Sequence, residues 1–163
     1  MWPAHVYDRP VLIPEPNNDK SLGEIYLSGI GWTNDLPAEA EKTSLTHIVN
    51  CAGSFLRANH YKTDISTTKL KYIELDLVDV SFQPLDGYVD STYNFINEHI
   101  KDPNAKILIH CFYGQSRSVT ILCYYLMKKY NWTYDTSINY VKQYRPIASP
   151  NFGFENYLKS LKN

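Results

Sequence analysis

Lys106-Ile-Leu-Ile-His-Cys-Phe-Tyr-Gly-Gln-Ser-Arg-Ser118 is the stretch on which the reading of this chain turns. Its three consecutive branched residues, Ile107, Leu108 and Ile109, predict a buried strand, and a helix opens near Arg117. A tight loop joins them, with Cys111 at its start and Arg117 after five intervening residues. A strand running through a loop into a helix N-terminus gathers backbone N–H groups around an anion. A thiol at the floor of such a cradle is expected to ionise readily, because helix-terminal amides and a guanidinium both favour the thiolate. Facing a bound phosphate, that sulfur is a nucleophile aimed at phosphorus. Arg117 can hold two phosphate oxygens in its planar fork, as a lysine could not. Gly114 suits a loop that curls its amides inward, since glycine reaches positive φ without steric cost. The plainer reading makes Cys111 a small core residue and Arg117 a helix surface residue. It leaves Gly114 and the serines at 116 and 118 without a reason.

This run resembles the signature of the cysteine-dependent protein tyrosine phosphatases. Its Gly114-Gln115-Ser116-Arg117-Ser118 ending is most similar to the dual-specificity branch, in particular its small atypical members. The resemblance implies Cys111 as nucleophile and a cysteinyl-phosphate intermediate. Phe112, Tyr113, Gly114, Gln115 and Ser116 would contribute backbone amides, and Arg117 the charge clamp. Ser118, whose hydroxyl could donate to the Cys111 sulfur, would help the thiolate leave when the phosphoenzyme breaks down; a helix-capping role is the alternative. His110 would hold the shape of the loop. It is a poor partner for the thiol in any case, because adjacent strand residues point to opposite faces. Phe112 and Tyr113 depart from the commonest pattern and could narrow the pocket mouth, stack on a substrate ring, or pack under the loop.

The leaving oxygen needs a proton from an acid on a loop over the pocket. Asp76 and Asp79 compete for this role. Tyr72 to Val78 alternates, with Ile73, Leu75 and Leu77 on one face, and predicts a strand that delivers Asp79 at its end. Asp79 also precedes Cys111 by 32 residues, with Tyr72 seven residues before it, spacings similar to those of the small atypical dual-specificity phosphatases. Asp79 is therefore assigned. Cys51 ends a predicted strand at a position that resembles a back-door cysteine of related phosphoinositide phosphatases; a buried strand cysteine is the simpler reading.

The composition sets bounds. A chain of 163 residues with 44% hydrophobic and 20% charged residues suits one domain with its own core. A formal net charge of -1 gives no pull toward nucleic acid or anionic membrane, and no apolar run approaches a membrane span. Three scattered cysteines fit a reducing compartment, and Met1-Trp-Pro-Ala lacks a leader pattern. A cytoplasmic monomer is expected, with nuclear entry open, acting on phosphorylated protein. The histidines show no metal-ligand spacing, so neither metal nor organic cofactor is expected.

Residues 1–20 hold four of the nine prolines and predict an irregular or extended arm, with one catalytic domain over residues 21–163. Strands are expected at 24–29, 46–51, 72–78 and 106–110. Helices are expected at about 36–42, 88–100, after Arg117, after Thr133 or Asp135, and after Asn151; residues 54–70 read mostly as loop. Strands interleaved with helices predict an α/β fold, a central mixed sheet of about five strands with helices on both faces. The same element order is similar to that of the tyrosine phosphatase family from about residue 22 onward. A protein phosphatase acting on phosphotyrosine is the leading reading; phosphoserine and phosphothreonine follow from the shallow pocket that the resemblance implies. A lipid or RNA phosphatase is the first alternative, although residues 112–116 hold no lysine and the net charge is near neutral. A non-catalytic phosphopeptide-binding module is the second, although the nucleophile, the clamp and an acid are all present.

Overall fold

Ile107, Leu108 and Ile109 are each fully buried, because the strand they form lies at the centre of the sheet and is covered on both faces. The computed structural model describes residues 3–6, 8–31, 36–53 and 69–161. In chain order the elements are β1 (Val11–Ile13), β2 (Glu24–Ser28), α1 (Leu36–Thr43), β3 (His47–Asn50), β4 (Lys71–Glu74), α2 (Tyr88–His99), β5 (Lys106–His110), α3 (Arg117–Tyr130), α4 (Tyr134–Tyr144) and α5 (Phe152–Ser160), with a 3-10 turn at Ala4–Val6. The five strands run in the order β1-β2-β5-β3-β4. β2 and β3 flank β5 in parallel, with Leu27 opposite Ile109 and Ile48 opposite Leu108. β4 extends the sheet in parallel beyond β3, and β1 closes the other edge antiparallel to β2. Among the described residues no helix is long and apolar enough to cross a membrane.

The strand pleat sorts the apolar residues into two layers. Ile25, Leu27, Val49, Ile107 and Ile109 face a large core shared with Val89 and Ile96 of α2, Leu122 and Tyr125 of α3, Ile138 and Val141 of α4, and Phe154 and Leu158 of α5. On the opposite face, Ile48 and Leu108 pack beneath Ala40 of α1 and Leu45, with Tyr26 and Tyr72 at the margin. The helices start where local chemistry sets them. Thr133 accepts a hydrogen bond from the Thr136 amide, and Asn151 accepts one from the Phe154 amide. At the other end of α3, Asn131 takes a left-handed conformation (φ 55°) and closes the helix.

Two expectations need correction. The strand expected over 72–78 ends at Glu74. β4 is an edge strand whose partner β3 stops at Asn50, so ladder bonds run out after Leu75 N–H donates to Asn50 O at 2.8 Å. The alternation outlives the ladder: Leu75 and Leu77 are buried while Asp76 and Val78 face solvent. The second concerns the amino-terminal arm. Val11–Ile13, short as it is, forms an edge strand, and Val6 is buried. The arm is tied down further where the Tyr140 hydroxyl donates to Pro14 O and the Tyr130 hydroxyl to Glu15 Oε1, each at 2.6 Å. The loop expected over 54–70 lies largely outside the described residues.

Candidate active site

The loop between β5 and α3 owes its shape to where its carbonyls go. Phe112 O accepts from the Ile30 amide at 2.9 Å. Tyr113 O and Gly114 O accept from Arg145 Nη2 and Nε at 3.1 and 2.6 Å, and Gln115 O accepts from the Ser149 amide at 2.8 Å. Four successive carbonyls are therefore held outward. In a planar trans peptide the N–H lies opposite the C=O, so the amides of residues 113 to 116 turn inward together. One of them is already engaged: Gly114 N–H donates to Cys111 Sγ at 3.2 Å. Gly114 carries φ 66°, and a Cβ there would lie 2.6 Å from Arg145 Nη2 and 2.7 Å from Gly29 N. Only glycine satisfies both the backbone angle and the packing.

Ser116 occupies the N-cap position of α3, yet its side chain makes no capping bond. Its hydroxyl donates instead to Asp79 Oδ1 at 2.6 Å and accepts from the Asn151 amide at 2.9 Å. The first-turn amides of α3 are thus left without a side-chain cap, and the positive end of the helix dipole stays available to an anion.

Cys111 is buried at the start of this loop, and the Ser118 hydroxyl lies 3.1 Å from its sulfur. Arg117 is also buried; its Nη1 donates to Leu77 O at 3.1 Å, which ties the guanidinium to the segment that delivers Asp79. Arg117 Nε is buried without a hydrogen-bond partner, an arrangement that costs free energy unless an acceptor arrives. Asp79 is exposed, and a single oxygen, Oδ1, is held by Ser116 and by Asn151 Nδ2 at 2.8 Å. Asp76, three residues earlier, is exposed as well. The structure therefore brings Cys111, Arg117, Ser118 and Asp79 to one place.

His110 is buried with Nδ1 3.4 Å from the Cys111 carbonyl oxygen, so it faces the loop backbone and not the sulfur. Burial pulls its imidazole down to about 4, and the Arg117 charge acts in the same direction against that hydrogen bond. Phe112 packs under the loop with Val6 and Ile30, and Tyr113 meets it edge-on at 4.9 Å. Cys51 is a free, fully buried thiol, pushed well up by burial and then by the neighbouring Cys111.

Sequence reasoning missed the outer supports. Arg145 reads as a helix stop beside Pro146, and Asn151 as a cap alone; nothing local signals that both reach the loop. Arg145 is 5% exposed. A buried arginine must find acceptors, but its burial is set by the fold and is not legible in the composition.

Comparison with known proteins shows the family. The dual specificity phosphatase catalytic-domain model matches residues 25–163. The chain is 40% identical over 119 residues to dual specificity protein phosphatase 1 of Arabidopsis thaliana, covering 73% of this chain and 56% of that protein. It is 34% identical over 122 residues to dual specificity protein phosphatase 1B of the same plant, covering 75% of this chain and 68% of that one. Among solved structures, the human tyrosine phosphatase-like serine/threonine/tyrosine-interacting protein superposes with a TM-score of 0.74 at 26% identity, over 83% of this chain and 88% of that chain. The chain spans little more than half the length of the first of these relatives, at 56%.

Proposed function

This chain belongs to the dual specificity phosphatase catalytic-domain family, and on that premise we propose that it is a protein phosphatase acting on phosphotyrosine and on phosphoserine or phosphothreonine through a cysteinyl-phosphate. The observation that carries the proposal is the ring around one sulfur. Cys111 Sγ has the Gly114 amide at 3.2 Å and the Ser118 hydroxyl at 3.1 Å, within a loop whose outward-tied carbonyls turn the amides of 113 to 116 inward.

In the first step the Cys111 thiolate attacks phosphorus in line with the ester oxygen. The S–P bond forms as the P–O bond to the substrate breaks, and Asp79 gives its proton to the leaving oxygen. Charge on the three equatorial oxygens is held by the loop amides and by Arg117, whose buried Nε gains the acceptor it lacks. In the second step water attacks phosphorus, the Asp79 carboxylate takes a proton from it, and the S–P bond breaks. The Ser118 hydroxyl donates to the departing sulfur, and inorganic phosphate leaves. Ser116 and Asn151 share the task of holding Asp79 over the loop.

The test is to quench the protein with acid during turnover of a 32P-labelled phosphotyrosyl peptide. Label is expected on Cys111 by peptide mapping and absent from Cys111→Ser, which also loses turnover. Turnover that persists in Cys111→Ser overturns the proposal. So does wild-type protein with neither label nor hydrolysis.

A further inference from the structure

Large apolar side chains that face solvent are few among the described residues: Leu12 at 38% exposure, Val78 at 51%, Phe82 at 84% and Phe152 at 73%. Three of the four sit on the two segments that meet at Asp79. Val78 precedes the acid and Phe82 follows it by three residues, while Phe152 is the neighbour of Asn151, whose side chain holds Asp79 at 2.8 Å. The two segments are laced a second time at Gly153. A Cβ at that position would lie 1.8 Å from Ser81 O, so the backbones touch there, one residue from each phenylalanine. The 78–83 turn is also tied within itself: Val78 N–H donates to Gln83 Oε1 at 3.1 Å, and Gln83 N–H to Val80 O at 3.1 Å.

We propose that Val78, Phe82 and Phe152 form a preformed apolar ledge beside the catalytic loop that reads an apolar side chain next to the phosphorylated residue of a peptide substrate. This rests on the phosphatase reading above and adds a sequence preference to it. Scattered exposed apolar residues need no explanation; a cluster on both walls of one site does. The backbone beneath the ledge is already held together, so binding has only the side chains left to order.

Peptide is the occupant that the surroundings favour. The ledge is continuous with the acid, and residues 78–83 and 151–153 carry one aspartate and no lysine or arginine, so nothing there draws an anionic membrane surface. Three side chains offer on the order of 400 Å², well short of the roughly 800 Å² per partner of a stable protein interface. An extended peptide advances about 3.3 Å per residue, so a side chain one to three places from the phosphorylated residue lies within reach of the rim.

The experiment measures kcat/KM on phosphotyrosyl peptides that differ only in carrying leucine or serine at the flanking positions. Wild type and the double variant F82S/F152S are compared, with hydrolysis of an aryl phosphate by wild type as the reference. The leucine peptides are expected to be preferred about tenfold by wild type, the worth of partly burying one such side chain. In the double variant the ratio is expected to fall below about twofold on the same basis. The ratio is taken within each protein, so a general change in rate does not enter it. Equal use of both peptides by a wild type that cleaves the aryl phosphate overturns the ledge and leaves the phosphatase reading standing. No hydrolysis of any substrate overturns both. A preference that survives in the double variant, or a wild-type dimer or neutral-vesicle complex that the double substitution abolishes, assigns the patch elsewhere and overturns the ledge.

Discussion

Replacing Arg145 with methionine keeps the length of the side chain and removes the two bonds that turn the loop carbonyls outward. Both are charge-assisted, to Gly114 O at 2.6 Å and Tyr113 O at 3.1 Å, in a site only 5% exposed. Hydrogen bonds to a charged group contribute about 1.5–3 kcal/mol each, and the two stranded carbonyls then bear their own desolvation cost. Water will recover part of this, so a loss of roughly 3–5 kcal/mol is expected, a large share of a total that is typically about 5–15 kcal/mol. In a chain of this size that corresponds to a fall of about 10 °C in melting temperature. Activity should suffer as well, because freeing the carbonyls of Tyr113 and Gly114 releases the amides of residues 114 and 115. Losing one fixed oxyanion donor typically costs about 100-fold or more in kcat, and that is the loss expected for Arg145→Met measured well below its melting point. Arg145→Lys should recover only part of the stability, since a single ammonium cannot span both carbonyls as the guanidinium does. Calorimetry and aryl phosphate kinetics on the folded variant decide the matter. A melting point within 2 °C of wild type together with kcat/KM within threefold would refute the claim that this guanidinium sets the direction of the loop.

Asp79→Asn should lower turnover on phosphotyrosyl peptides by about 100-fold, the usual worth of a general acid, while Asp76→Asn stays within about twofold. Equal losses at the two positions, or a larger one at Asp76, count against the assignment. Stability should also fall on the acid side of neutrality. His110 is held neutral with its folded value at about 4, below the ordinary 6.5, and His47 is pulled to about 4 by burial and the neighbouring His99. A depressed folded value means that the unfolded chain binds the proton first. The stability it contributes is therefore complete above pH 6.5 and lost as pH falls toward 4. From His110 alone the loss by pH 5 is about 2 kcal/mol, read from urea unfolding at pH 7 and pH 5. His110→Asn should flatten that slope, and an identical slope in the variant contradicts the account.

The centre of this molecule was readable because its signals are local. Ile107 to Ile109 announce a doubly covered strand, and Cys111, Gly114 and Arg117, set between that strand and a helix start and flanked by His110 and Ser118, resemble a phosphatase signature loop. The two helix caps at Thr133 and Asn151 follow from side-chain chemistry within three residues. What escaped are contacts that leave no periodic trace. Arg145 meets the loop across 31 positions of sequence, and Ser116 meets Asp79 across 37. The early end of β4 depends on where its partner strand stops, which its own alternation cannot report. Val11–Ile13 is too brief to show a pattern between its flanking prolines, yet a sheet edge was waiting for it.

The serine that ought to cap α3 gives its hydroxyl to Asp79, and Asn151 joins the same knot while starting the last helix. Anyone redesigning this scaffold for another ester should therefore transplant positions 79, 116 and 151 as one cassette. Swapping the acid segment on its own would also disturb the mouth of the anion cradle and the entry to α5, because all three places draw on the same few bonds.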